Sequence, residues 1–241
     1  MAEFWNPWHG CRRVSEGCAH CYVFALDRLR GVETAIHKNA SGFSKPVSRR
    51  RGGEFRYPSG TTFFTCFTSD FFLEDADEWR DDAFRIIRAR PDCTFEIFTK
   101  RIERARARLP LDWGDGYPNV RLSVSAENQR RADERIPLLL DFPAAARGVA
   151  ASPLLEALHL ERYLASGRIQ WVSAGGESYE GARPCDFEWI LSLRRQCEAA
   201  KVPFTFHQTG ANFKKDGKTY HLPSHRLQLA QARKANIDYR P

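Results

Sequence analysis

Beyond residue 60, short runs of β-branched and aromatic residues recur at the spacing of a βα unit. This alternation constrains the fold more than any other feature of the chain. The runs are Thr61–Phe67, Thr94–Thr99, Asn119–Ser125, Arg147–Ala151, Ile169–Ala174 and Pro203–Gln208. They are nearly continuous in apolar residues, the pattern of strands covered on both faces. Helical stretches lie between them. Asp75 and Glu78 stand at capping-box spacing before the stripe Trp79, Ala83, Ile86 and Ile87, and Pro91 ends it. Residues 127–140 and 186–200 read as further helices, and a short strand is expected around Phe4. The expected fold is a single α/β domain over residues 1–241, a complete or partial (β/α) barrel of TIM type, with an open doubly wound sheet as the alternative.

Two segments depart from the alternation. Residues 32–60 lack apolar period, are rich in Gly, Ser and Arg, and exceed an ordinary connection in length. Residues 211–241 form a basic C-terminal extension. The charge excess, 37 Lys and Arg against 30 Asp and Glu, concentrates in three places. Lys38, Lys45, Arg49, Arg50, Arg51 and Arg56 face only Glu54 over residues 37–56. Five basic residues between Lys100 and Arg108 face only Glu103, and seven between residues 213 and 241 face two acids. A single such patch is ordinarily a solvated face; three together favour a phosphate-rich partner, a nucleic acid or nucleotide.

Composition excludes several classes. At 42% hydrophobic, with 17 Phe, 7 Tyr and 6 Trp, the chain builds a core and is not disordered. It has no apolar run long enough for a membrane helix and no secretory leader pattern, so no membrane partner and a cytoplasmic location are expected. Seven cysteines in a chain of this size point to buried, metal-bound or reactive thiols rather than disulfide staples.

The most specific motif is Cys11-x6-Cys18-x2-Cys21 within WNPWHGCRRVSEGCAHCY. Zinc would need a fourth ligand, for which His9 or His20 are candidates, but the usual second CxxC is missing. Three thiolates suit a [4Fe–4S] cluster with one iron open to an exchangeable ligand, His20 lying beside it. Unmetallated thiols are the third possibility. Cys66, Cys93, Cys185 and Cys197 are scattered and read as core residues.

A three-cysteine loop ahead of a (β/α) barrel resembles the radical S-adenosylmethionine enzymes, although their commonest spacing is CxxxCxxC. Read through most of residues 1–210, the chain resembles a narrower group, the phage-associated three-cysteine domain family of unknown function, held to be radical-S-adenosylmethionine-like. The matching segments are residues 5–22, TSDFFLED at 68–75, FTKRIERARARL at 98–109, LSVSAENQRRADERIPLLL at 122–140, WVSAGGESYEGARP at 171–184 and VPFTFHQTG at 202–210. The resemblance implies a [4Fe–4S] cluster on Cys11, Cys18 and Cys21, S-adenosyl-L-methionine as cofactor, a 5′-deoxyadenosyl radical and an electron donor as partner. Departures fall at Ser152, where the family has a carboxylate, at His207, where it has a lysine, and at Cys66-Phe67-Thr68, where it has asparagine and small residues. They point to a divergent substrate.

Strand-end residues supply the remaining candidates. Lys100 and Arg101 are candidates for a cofactor carboxylate, and Ser125 and Glu127 for ribose or amino groups, though Ser125 is equally placed to cap a helix. Gly175, Gly176 and Glu177 let backbone approach a ligand. Arg183 is a candidate anion holder. His207 and Gln208 are candidate catalytic residues for proton transfer or orientation, and Cys66 and Cys185 remote candidates for hydrogen-atom donors. The expected activity is radical S-adenosylmethionine chemistry on a nucleic-acid or nucleotide substrate. The rivals are a zinc-stabilised nucleic-acid-binding protein without activity and an iron–sulfur electron carrier or redox sensor.

Overall fold

The computed structural model describes residues 1–32 and 34–241. All six expected runs are strands, and the run around Phe4 makes a seventh. They are β1 (Ala2–Trp5), then, after a small antiparallel pair β2 (Trp8–His9) and β3 (His37–Lys38), β4 (Thr62–Thr65), β5 (Thr94–Thr99), β6 (Val120–Ser125), β7 (Ala146–Ala151) and β8 (Trp171–Gly175); β10 (Phe204–Gln208) follows the short β9 (Cys185–Asp186). A hairpin of β11 (Asn212–Lys215) and β12 (Lys218–His221) joins β9. The main sheet runs β1-β4-β5-β6-β7-β8-β10, every pair parallel, and curls into a half-barrel.

The curl stops short of closure. β1 and β10 are its two edges, and each is bordered by irregular chain, which blunts the pairing tendency of an open edge. Along β1 run Asn39, whose side chain donates to the Asn6 carbonyl at 2.9 Å, and Lys45, whose Nζ donates to the Phe4 carbonyl at 2.6 Å. Asn39 and Lys45 thus cover this edge. At the other border Phe204 and Tyr239 exchange backbone bonds of 3.0 and 2.9 Å. The basic C-terminal extension is therefore ordered structure: the β11–β12 hairpin, a helix α7 (His225–Ala235) and a tail on β10.

The helices are α1 (Tyr22–Leu29), α2 (Asp77–Arg88), α3 (Ile102–Ala105), α4 (Gln129–Asp141), α5 (Glu161–Leu164), α6 (Phe187–Ala199) and α7. Ala83, Phe84 and Ile87 of α2, Ile136 and Leu139 of α4, and Ile190 and Leu193 of α6 form one core with Phe63, Phe95, Val120, Leu122, Val149, Val172 and Phe204 of the sheet. Those strand residues share one face, so a single side of the sheet is covered by helices. The expectation of helices on both faces is corrected: the other face carries Phe4, Phe64, Phe98 and Trp171. None of the helices is long and apolar enough to cross a membrane.

The caps differ from the expected ones. Asn128 caps α4, accepting from Arg131 N at 2.9 Å, and Asp186 caps α6, accepting from Glu188 N at 3.0 Å. Ser125 is no cap. The Asp75–Glu78 box does not form, because Asp75 sits in a 3-10 turn (Glu74–Ala76) and its carboxylate is held by Arg12 at 2.5 Å.

Candidate functional site

The chain between Gly10 and Cys21 lies across the C-terminal ends of the parallel strands, where α/β folds of this architecture place their ligands. It is stitched to the segment after each of four strands. After β4, Gly10 donates its N–H to the Thr68 carbonyl at 3.1 Å and accepts from Ser69 Oγ at 2.5 Å. After β5, Arg101 Nη2 donates to the Arg12 carbonyl at 2.7 Å. After β6, the Ser15 hydroxyl donates to Glu127, and Arg131 of α4 holds the Glu16 carboxylate at 2.9 Å. After β8, Arg183 Nη2 donates to the Glu16 carbonyl at 2.8 Å.

Beneath these stitches stand three buried carboxylate–guanidinium pairs. Asp70 accepts from Thr99 Oγ1 and Lys100 N at 2.8 Å and from Phe72 N at 2.9 Å, with Arg101 Nη1 at 3.3 Å. Glu127, fully buried, is held by Arg135 at 2.7 Å. Burial alone would raise its pKa, but the charges of Lys100 and Arg135 and the Ser15 hydroxyl outweigh it and hold the group below its ordinary value. Glu177 is clasped by Arg183, which also donates its backbone N–H to Oε2 at 2.8 Å. Glu16, tied by hydrogen bonds from Arg131, is lowered to about 2.

The loop brings the three cysteines into one neighbourhood. Cys11 Sγ lies 3.8 Å from Arg101 Nη1, the buried Cys18 has its Sγ 3.9 Å from Ser15 Oγ, and Cys21 precedes the first turn of α1. Burial pushes the Cys11 thiol up to about 11, although Arg101 opposes it, and burial also raises Cys21. Both thiols therefore hold their protons at neutral pH. Among the described residues no group of three or more His, Cys, Asp or Glu side chains converges on one point as a metal site. Cys66, Cys93, Cys185 and Cys197 are buried, with Cys185 and Cys197 raised to about 12 by burial. Cys66 takes a left-handed conformation, φ 65°, at the end of β4.

Several sequence candidates have protein partners in place of a ligand. Arg101 is buried against Asp70 and the Arg12 carbonyl, whereas Lys100 borders a cavity. Lys100 Nζ lies 3.3 Å from Ser125 Oγ and lines a cavity of about 180 Å³ with Val14, Glu103 and Arg131. Glu127 is covered by the loop: a Cβ on Gly17 would meet its Oε1 at 3.0 Å, so glycine is what permits the approach. Gly176 is required by packing, since a Cβ there would stand 2.6 Å from the Thr209 carbonyl oxygen and 2.8 Å from Cys185 Cβ. Gly175 backs onto Gln208, whose Nε2 donates to the Gly176 carbonyl at 2.8 Å and to Ser178 Oγ at 2.7 Å. Gln208 therefore clamps the loop after β8. His207 is the extra residue of a bulge in β10 and stands exposed beside Asp238 and Arg240. His20 and Cys21 border a larger cavity of about 320 Å³ with Arg13, Phe24, Arg28 and Glu180. His9 faces Asp27 Oδ2 at 2.8 Å.

The pairing partners Ser15, Glu16 and Arg135 carried no signal of their own in the sequence. Each acts on a residue far along the chain, and a helix-surface arginine reads the same whether it meets water or a buried carboxylate. The model of a family described as "Protein of unknown function (DUF5131)" matches residues 1–236. No curated protein and no solved structure matches the chain.

Proposed function

We propose that this chain, which belongs to the DUF5131 family, is a radical S-adenosylmethionine enzyme acting on a nucleic-acid or nucleotide substrate. The observation that carries the reading is the placement of Cys11, Cys18 and Cys21 on one loop stitched across the C-terminal edge of an open parallel half-barrel. The donor set fits in its chemistry: three thiols in one neighbourhood suit an iron–sulfur cluster with one open iron. As they stand they do not converge, and Cys11 and Cys21 hold protons. Loading requires the loop to draw its thiols together and release those protons, so it is favoured by rising pH. When bound, such a cluster supplies the electron that cleaves S-adenosylmethionine, and an electron donor must replenish it.

The chain's own residues hold the surroundings. Arg101, fixed by Asp70, places a cation against Cys11. Lys100 faces a cavity and is the candidate contact for a carboxylate or phosphate. Arg13, His20 and Arg28 line the cavity beside Cys21 and supply donors to an anionic group there. A reducing, cytoplasmic compartment would keep all seven cysteines free. His9, turned toward Asp27, is poorly placed as a fourth zinc ligand.

Of the three basic segments, the one at 101–108 is largely neutralised within the fold. Arg101 pairs with Asp70, and Arg104 and Arg108 pair with Asp77. The exposed Arg49, Arg50, Arg51 and Arg56 and the cations of the β11–β12 hairpin remain to meet phosphates.

The test is anaerobic reconstitution with iron and sulfide, followed by electron paramagnetic resonance of the reduced protein with and without S-adenosylmethionine. A cluster signal that shifts on adding S-adenosylmethionine is expected, and Cys18→Ala should lose both iron and the shift. One zinc per chain, with no response to S-adenosylmethionine, would overturn the reading.

A further inference from the structure

Residues three and four apart on a helix share one face. Counted from its N-cap Cys21, α1 carries Phe24, Ala25 and Arg28 on such a stripe, and all four residues line one cavity of about 320 Å³. The cysteine loop adds Arg13, Ala19 and His20 to the lining, and the loop after β8 adds Glu180 and Gly181. Ala19, Ala25 and Gly181 put little bulk into the space. Gly181 has φ 76°, and a Cβ on it would stand 2.6 Å from His20 Nδ1. The loop after β8 therefore packs its backbone on the His20 ring and holds the ring at the cavity wall.

Arg13 is positioned in this cavity without being neutralised. Its Nε donates to the Cys18 carbonyl at 3.3 Å, and its guanidinium lies 4.1 Å over the Phe24 ring. A carbonyl and an aromatic face fix a guanidinium in place but leave its charge uncompensated. Arg28 follows Phe24 by one helical turn, so it stands on the side of α1 where that ring carries Arg13. The carboxylates nearest to the two arginines in sequence face elsewhere, Glu16 toward Arg131 and Asp27 toward His9. Arg101, Arg135 and Arg183 at the rim each hold a buried carboxylate; Arg13 and Arg28, both exposed, hold none among the described residues.

Charge identifies the ligand. Two guanidiniums brought to one cavity repel each other until an anion joins them, and the lining holds a single carboxylate, Glu180, against them. A carboxylate ligand carries one charge and fills one guanidinium fork. A phosphate monoester carries nearly two charges and three terminal oxygens, which suits two forks and a ring N–H of His20. A phosphodiester inside a strand has one charge and two free oxygens, a poorer match. At about 320 Å³ the cavity falls within the size of small-molecule sites. It has room beyond the phosphate for the sugar that bears it, and Glu180 is an acceptor for a sugar hydroxyl.

We infer that the cavity between α1, the cysteine loop and the loop after β8 is a binding site for the phosphate monoester of a nucleotide, gripped by Arg13 and Arg28. The inference rests on the function proposed above for the nucleotide class of the ligand, and adds which group of it is held and where. The same monoester occurs on a free nucleotide and at the 5′ end of a nucleic-acid strand.

The experiment titrates the full chain calorimetrically with adenosine 5′-monophosphate, with adenosine, and with oligothymidylates of about 12 nucleotides carrying or lacking a 5′-phosphate. The monophosphate should bind about tenfold more tightly than adenosine. A 5′-phosphorylated strand that binds as tightly as the monophosphate, and about tenfold more tightly than its unphosphorylated counterpart, assigns the site to strand ends; binding of the monophosphate alone assigns it to free nucleotides. Arg28→Gln, at an exposed position, should weaken monophosphate binding by about tenfold at an unchanged melting temperature. Arg13→Lys, which keeps the charge but loses the fork, should weaken it less. Failure of both phosphorylated probes to bind, equal binding of adenosine and its monophosphate, or wild-type affinity in Arg28→Gln would overturn the inference. So would displacement of the monophosphate by S-adenosylmethionine, which would place a cofactor carboxylate in the cavity. Cys18→Ala separates the site from the cofactor reading: a variant that loses iron but binds the monophosphate as wild type does supports the site. A wild-type protein that responds to S-adenosylmethionine yet binds neither phosphorylated probe discards the site and leaves the cofactor reading standing.

Discussion

The C-terminal rim and the concave face of the same strands are built by different rules. At the C-terminal rim three buried carboxylates each have a guanidinium: Asp70 has Arg101, Glu127 has Arg135 and Glu177 has Arg183. On the concave face below, aromatic rings stand half-exposed and the Ser123 hydroxyl is unpaired. The rim is satisfied by the protein itself, so its polar residues hold the cysteine loop in place. On the concave face Phe64, Phe67 and Phe98 pack edge to face and Ser125, Trp171 and Ser173 are buried, so this face is held by packing rather than by ion pairs. A residue's charge or burial alone does not distinguish the two; the presence of a partner does.

The contrast breaks most clearly at Glu127. Glu127→Ala would leave Arg135 buried without its counter-charge and release Ser15 of the loop. A loss of about 3–5 kcal/mol follows, a drop in melting temperature of roughly 10 °C for a chain of this size. A variant melting within 2 °C of wild type, by circular dichroism, would mean that the pair does not hold the rim.

Acid should act on the rim next. Glu16 is lowered to about 2 by hydrogen bonds from Arg131, and Asp77 also to about 2, hydrogen bonds from Arg104 and Arg80 overcoming a burial that raises it. Glu127 is lowered in the same sense. Depressed folded-state values mean that the unfolded chain binds protons first as pH falls. The stability these groups contribute is therefore complete above their ordinary values near 4 and is lost progressively toward pH 2. Melting temperatures taken across that window should fall, and Arg131→Gln should flatten the fall. An unchanged slope in Arg131→Gln would remove Glu16 from the account.

The smallest expected effect, opposite in sign, sharpens the comparison. Ser123→Ala removes a buried hydroxyl that has no partner among the described residues and should raise stability by about 1 kcal/mol. If the melting temperature falls instead, the hydroxyl is used within the fold.

Much of this was legible before the fold was known, and the failures share one cause. The strand runs, the helix over residues 127–140 and the cysteine loop ahead of them were read from patterns spanning a few residues. The Asp75–Glu78 box was misread because Asp75 meets Arg12, 63 positions away. The basic run at 101–108 looked like a phosphate surface because Asp70 and Asp77 lie in a different βα unit. Gly176 looked like a ligand approach but is a packing contact with Thr209 and Cys185. His207, placed by counting strand ends, is the extra residue of the bulge between Phe206 and Gln208 and stands beside Asp238 and Arg240.

Sequence by itself determined the order of strands and helices and the position of three cysteines before the sheet, because periodicity and chain order are local properties. Tertiary structure alone decided which charges cancel, which sheet face the helices cover, and that the half-barrel stops at β1 and β10. Those outcomes depend on which strand ends and side chains come within about 3 Å of one another, and residues that meet at that distance here are separated by tens of positions along the chain.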